Sequence, residues 1–503
     1  MLPKPAFPVV FIILSVFDLH AESGGSGHAY GAKFRGTAEA QILARQLPVN
    51  DGNAIRYWNR IACDASGLDH TPVLPGENRV FGEQLGPCRA ARAMAIVQIA
   101  VFDALNAIEG GYQGYMNMPA VREMASVDAA VAQAAHDTLV ALFPSQKLDM
   151  DALLTEFLAN DVRGQGGPAG KARGIEVGAQ AAAKILSLKA KDGSQHDEPR
   201  VGIEFITSDL PGFWRQDPIS LIPLALGAYW GDCIPFVMKS GSQFRLPPPP
   251  PLNSPEYTAA FDEVKRLGGD GTNTPTERSF EQTLIGLYWA YDGTPALCAP
   301  PRLYNQVTCH IAEQMGTEGI DLARLLALAN TAMADAAIAV WESKFYYQFW
   351  RPVTGIREAD AGTGPTGAGD GNDATVGDVA FSPLGAPASN LQGPDFTPPF
   401  PAYPSGHAGI GSSLFQIMRR FYGTDNIAFT FVSDELNGVT QDNDGNTRPL
   451  VPRSFTSLSQ AETENAHSRI YLGIHWVFDA TGGMSQGRTI ADYIFERVFV
   501  PVR

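Results

Sequence analysis

A chain of 503 residues with 45% hydrophobic content exceeds the usual size of one domain and can bury a large core. Its formal net charge of -16 excludes a nucleic-acid backbone as partner, because that contact needs a basic face. The five cysteines, Cys63, Cys88, Cys233, Cys298 and Cys309, lack metal-ligand spacing, and their odd number leaves at least one thiol unpaired within a single chain.

In chain order, residues 7–17 form a short apolar run after Lys4, and Leu19 and Ala21 fit a small-residue cleavage signal. Residues 1–21 are expected to be a secretory signal peptide, too short to span a bilayer, although Pro3, Pro5 and Pro8 also suit an uncleaved arm. The expected location is therefore secreted or periplasmic. No later stretch reads as a transmembrane span.

Residues 22–245 are expected to form an N-terminal helical scaffold bundle. From about residue 38 to 236, apolar positions at helical spacing and abundant alanine predict helices, clearest over 89–108, 127–143 and 171–191. A run of five prolines at 247–251 marks an extended linker over 246–256. Residues 257–503 resume with helices predicted near 276–288, 303–315, 322–350, 406–422, 460–472 and 477–498. The fold class is all-α, two helical bundles joined by long loops. The spacing of Met94, Ala100, Val101, Phe102 and Asp103 returns as Met333, Ala339, Val340, Trp341 and Glu342. That suits an internal duplication or a coincidence between alanine-rich helices, and Leu105 stands where Lys344 would fall in the first copy. A Gly/Pro/Asp/Ala-rich loop over 358–399 is expected to cover the entrance of a site.

The chemistry gathers in three separated stretches of the second half. Pro404-Ser405-Gly406-His407 stands where a helix begins, so unpaired N–H groups and the positive dipole end meet an incoming oxyanion. Ser405 as a simple N-cap and Gly406 as a turn residue explain the same four letters. Upstream, Lys344 and Arg351 are seven apart, close to two helical turns, which predicts an ammonium and a guanidinium fork on one face. Downstream, His475 and Asp479 are four apart, the spacing of a carboxylate that fixes an imidazole tautomer. Arg469 lies six before His475, so a break is expected near Gly473 to bring both to one place.

The order Lys-x6-Arg-Pro, Pro-Ser-Gly-His and Ser-Arg-x5-His-x3-Asp resembles the signature of vanadium-dependent haloperoxidases within the phosphatidic acid phosphatase and acid phosphatase superfamily. Pro398-Pro399-Phe400-Pro401-Ala402-Tyr403, Phe349-Trp350-Arg351-Pro352 and Ala290-Tyr291-Asp292-Gly293 further resemble the fungal vanadium chloroperoxidases. The resemblance covers much of the second half and reaches the first only through general architecture. It implies orthovanadate as cofactor, its oxygens held by Lys344, Arg351, Arg469, Ser405 and the Gly406 N–H, and its vanadium bonded to His475 alone. His407 would move a proton on the opposite side, with Lys344 and His475 also catalytic. Trp341 and Phe400 would wall the halide pocket, Asp292 would support Arg469, and Asp479 would orient His475. Hydrogen peroxide and a halide are the implied substrates, and small organic molecules accept the hypohalous acid formed through a peroxovanadate. Bromide-selective relatives tend to carry His at the position of Phe400, so Phe favours chloride, while core packing explains both aromatics equally. The rival is phosphomonoester hydrolysis, in which His475 attacks phosphorus and His407 protonates the leaving alcohol. His467 and the Cys309-His310 pair are expected to be ordinary helix residues.

Overall fold

The computed structural model describes residues 29–36, 53–159 and 166–502; the expected signal peptide lies outside them. The fold is all-α. Its helices are α1 (Ala54–Asp69), α2 (Gly86–Glu109), α3 (Val127–Leu142), α4 (Lys147–Ala159), α5 (Gly167–Lys189), α6 (Pro255–Leu267) and α7 (Phe280–Tyr288). They continue with α8 (Pro300–Gln314), α9 (Gly319–Tyr347), α10 (Pro352–Arg357), α11 (Gly406–Tyr422), α12 (Leu458–Tyr471) and α13 (Val477–Phe495). Among the described residues two antiparallel strand pairs accompany them: β1 (Arg35–Gly36) with β2 (Leu391–Gln392), and β3 (Phe429–Phe431) with β4 (Arg453–Phe455).

The long central helix α9 is buried on every side from Leu322 to Trp341, as its run of alanine and leucine requires. It packs on α2 from the first half and on α11 and α13 from the second. One apolar cluster runs without interruption from Trp58 and Ile96 through Leu139 to Leu326, Leu414 and Ile490. By length and apolar content α2 and α9 would each suffice to cross a bilayer, which the sequence pattern did not signal, yet both lie buried within this core. Their apolar length serves packing between helices.

Residues 190–254, expected to be helical as far as 236, are mostly irregular, with short 3-10 turns at Trp230–Asp232 and Gly241–Phe244. Pro199, Pro211, Pro218, Pro223 and Pro235 explain the difference, since each removes a donor and none leaves room for a full helix. The segment is nonetheless tied down, for Asp335 of α9 accepts the N–H groups of Phe236, Val237 and Met238 at 2.6–2.9 Å.

Helices α11 and α13 cross at backbone contact. A Cβ on Gly487 would stand 2.1 Å from the Gly409 carbonyl oxygen, and one on Gly483 would stand 2.7 Å from that of Ser405. This approach lets the Ser405 N–H donate to the Asp479 carbonyl at 2.9 Å, joining the start of α11 to the first turn of α13.

Candidate anion-binding active site

Lys344 and Arg351 do not share a helical face. Helix α9 stops at Tyr347, Gln348 takes a left-handed conformation with φ of 49°, and Arg351 is the N-cap of α10. Pro352 explains the break, because it disfavours helix at the residue before it and starts a new one at its own position. The two cations still converge. Lys344 Nζ donates to the carbonyls of Pro401 and Ala402 at 2.8 and 2.9 Å, and Arg351 Nε donates to that of Phe400 at 2.8 Å.

The break expected near Gly473 is present. Helix α12 ends at Tyr471, Gly473 has φ of 72°, and a Cβ there would lie 2.4 Å from the Gly268 carbonyl oxygen. No side chain fits, and the turn sends Arg469 and His475 into one cavity. Asp479 Oδ2 accepts His475 Nδ1–H at 2.8 Å and the Trp476 N–H at 2.9 Å. That leaves a lone pair on Nε2, which accepts from Arg351 Nη1 at 2.9 Å. Arg469 Nη2 donates to Asp292 Oδ1 at 2.6 Å, as expected.

The cavity, of about 60 Å³, is lined at its polar end by Asp292, Gly406, His407, Arg469 and His475, with Trp341 and Phe400 as aromatic walls. It can take a handful of waters or one tetrahedral oxyanion. The two rings lie 4.8 Å apart by centroid. Gly406 is the first residue of α11, where an N–H has no partner within its helix, and a Cβ there would meet the Trp341 ring at 3.1 Å. Ser405 is a working N-cap, its Oγ accepting the Ala408 N–H at 3.4 Å, and like Lys344 and Arg351 it is buried beside residues that line the cavity. The loop over 358–399 supplies only its end, Phe396, Pro398 and Pro399, to the cavity. The remaining apolar lining includes Leu85, Ile222, Leu226 and Tyr30 from the first half, which no motif spacing could reveal.

The electrostatics favour an anion. Burial, then the neighbouring Arg351, holds Lys344 well below the ordinary lysine range, and burial lowers Arg351 to about 9. Burial and the surrounding cations push His475 and His407 well below 6.5, so both imidazoles are neutral. Burial pushes Asp479 up to about 7. His407 Nε2 donates to the Ala290 carbonyl at 2.7 Å, leaving Nδ1 with the lone pair. Three guanidinium nitrogens, Arg351 Nη2 and Arg469 Nε and Nη1, are buried without a hydrogen-bond partner. Unpaired buried donors of this kind are costly, and a compact oxyanion offers the acceptors they lack. The donor set therefore fits vanadate or phosphate.

His467 is partly exposed on α12, and all five cysteines are free thiols, with Cys309 and His310 on α8. Residues 324–502 match a family model described as the VCPO second helical-bundle domain. The chain is 31% identical over 508 residues to the vanadium chloroperoxidase of Curvularia inaequalis, covering 85% of this chain and 79% of that one. The fold is shared with the crystal structure of the first bacterial vanadium-dependent iodoperoxidase, at TM-score 0.69 and 22% identity over 91% of this chain and 99% of the other. It is also shared with a holo-type bacterial vanadium-dependent chloroperoxidase, at TM-score 0.60 and 17% identity over 91% and 97% of the two chains.

Proposed function

The chain belongs to the vanadium chloroperoxidase family and is a vanadate-dependent haloperoxidase acting on hydrogen peroxide and halide, and from that premise we propose which residues do the work and which halides they accept. The observation that carries the assignment is the set of three unpartnered guanidinium nitrogens on Arg351 and Arg469, together with a His475 whose Nε2 is kept as an acceptor by Asp479. Arg351, Arg469 and Lys344 neutralise the cofactor's oxygens, with the Gly406 N–H and Ser405 adding hydrogen bonds. His475 Nε2 would hold the metal, kept in the acceptor tautomer by Asp479. Bound vanadate supplies Lewis acidity that activates peroxide toward halide.

His407 is neutral, with Nε2 committed to Ala290, so its Nδ1 takes the proton of the incoming peroxide and later returns one to the departing oxygen. Lys344, held by the Pro401 and Ala402 carbonyls, would set a positive charge beside the bound oxyanion. Trp341 and Phe400 exclude water, so a halide reaching the site is poorly solvated and more reactive. With Phe at 400, chloride is accepted as well as bromide, and the product is hypohalous acid, which halogenates electron-rich organic acceptors. We further propose that residues 22–245 act as the scaffold that buries the catalytic half, and that the chain is exported.

The direct test is halide oxidation by purified protein reconstituted with orthovanadate, alongside hydrolysis of a phosphate monoester without it. Vanadate-dependent oxidation of bromide and chloride that His475→Ala abolishes is the expected result. His475 backed by Asp479 would equally suit in-line attack on phosphorus, so ester hydrolysis with no halide oxidation would transfer the site to that chemistry.

A further inference from the structure

Residues 29–36 form a strap seated in the wall of the active site, far in sequence from every motif. Tyr30 and Phe34 are buried in an apolar cluster with Phe396, Leu472 and Ile474, the last two flanking the Gly473 turn between Arg469 and His475. The Tyr30 ring lies 5.4 Å from Phe34 and 6.4 Å from both Phe81 and Phe396 by centroid. The strap is pinned further by the pairing of β1 with β2 and by Lys33, which donates to the Ile219 carbonyl. Tyr30 itself lines the cavity, and its hydroxyl donates to the carbonyl of Gly293.

That carbonyl belongs to an unusual turn. Tyr291, Ala296 and Cys298 all have positive φ, at 45°, 65° and 58°, in a region that non-glycine residues occupy only when their surroundings enforce it. The turn carries Asp292, the partner of Arg469. Glu435 accepts the Tyr291 N–H at 3.0 Å on one side of Asp292, and Tyr30 reaches Gly293 on the other.

We propose that Tyr30 is a positioning residue for the anion site: its hydroxyl holds the Asp292 turn, and through Asp292 the Arg469 guanidinium, in the geometry that receives the oxyanion. The proposal rests on the vanadate reading of that site. It gives the strap a part in anion affinity that its distance from the motifs conceals.

The test compares full-length wild type, Tyr30→Phe, Lys33→Ala, Asp292→Asn and the Tyr30→Phe/Asp292→Asn double variant, by equilibrium dialysis against orthovanadate and by thermal unfolding. Losing one hydrogen bond that acts on the site is expected to weaken vanadate binding about three- to tenfold in Tyr30→Phe. Lys33→Ala, which cuts another tether of the strap without touching Gly293, is expected to keep wild-type affinity even where it lowers the melting temperature. The Tyr30→Phe loss is expected to vanish on the Asp292→Asn background, because both act through one contact. Wild-type affinity in Tyr30→Phe, an equal loss in Lys33→Ala, or simple additivity in the double variant would each overturn the proposal. Wild type that takes up phosphate but not vanadate overturns the vanadate reading instead, and the same ratios are then read on phosphate. Wild type that binds neither anion overturns both.

Discussion

Arg469 divides its fork between two tasks. Nη2 is fixed on Asp292, while Nε and Nη1 are left bare toward the cavity. His475 is divided too, Nδ1 donating to Asp479 and Nε2 accepting from Arg351. Because Asp479 sets the tautomer, Asp479→Asn is expected to lower vanadate affinity about 10- to 100-fold, measured by equilibrium dialysis, and an unchanged affinity would contradict the assigned role. Phe400→His is expected to lower kcat/KM for chloride more than for bromide, read from steady-state rates with each halide. At this scale much was legible. The His475–Asp479 and Arg469–Asp292 pairs follow from spacing and resemblance, and both form. Tyr30 was not legible, since a hydroxyl that acts 263 positions away on a backbone carbonyl leaves no local pattern.

Elements bring these residues together by stopping at the right places. The seven-residue interval from Lys344 to Arg351 suggested one continuous helix, but Pro352 outweighs the periodicity and ends α9 at Tyr347. The functional expectation survived because Lys344 and Arg351 both reach the carbonyls of 400–402 from different elements. The start of α11 and the break at Gly473 could be read directly, as a serine cap and a glycine turn announce themselves in sequence. The crossing of α11 and α13 could not be, because it depends on which glycines meet. Gly487→Ala forces a methyl into the Gly409 carbonyl and is expected to destabilise the protein by about 1–3 kcal/mol in urea unfolding, with wild-type stability counting against the crossing. Between α3 and α4 a different coupling operates. Burial opposes the His136 imidazolium, yet Asp137 and Asp151, at 2.8 and 3.0 Å, outweigh it and raise its pKa above 6.5. A raised folded pKa stabilises fully below the ordinary value and loses that effect as pH climbs through the raised one. The stability gap between wild type and His136→Gln is therefore expected to be largest below the ordinary imidazole value and to shrink as pH rises above it. A gap that widens over the same range would contradict the ion pairs.

Taken whole, the molecule carries a net charge of -16 on its sequence and buries Lys344, Arg351 and Arg469 together at one site. Composition disclosed the acidic total and the all-α class, but not that one core unites the halves or that the Pro-rich stretch over 190–254 would line the cavity through Ile222 and Leu226. The common core is expected to give a single cooperative unfolding transition, seen by calorimetry and by circular dichroism alike, whereas two separated transitions would mean that the halves are stable apart. Asp292 and Asp479 offset part of the repulsion among Lys344, Arg351 and Arg469, and a bound oxyanion would offset more. The most direct test of the account is the binding of orthovanadate to the purified chain, followed through peroxide-dependent bromide and chloride oxidation on the same samples. Stoichiometric uptake that switches on both oxidations, and that His475→Ala abolishes together with them, is the predicted result; a vanadate-loaded protein inert toward both halides would contradict it.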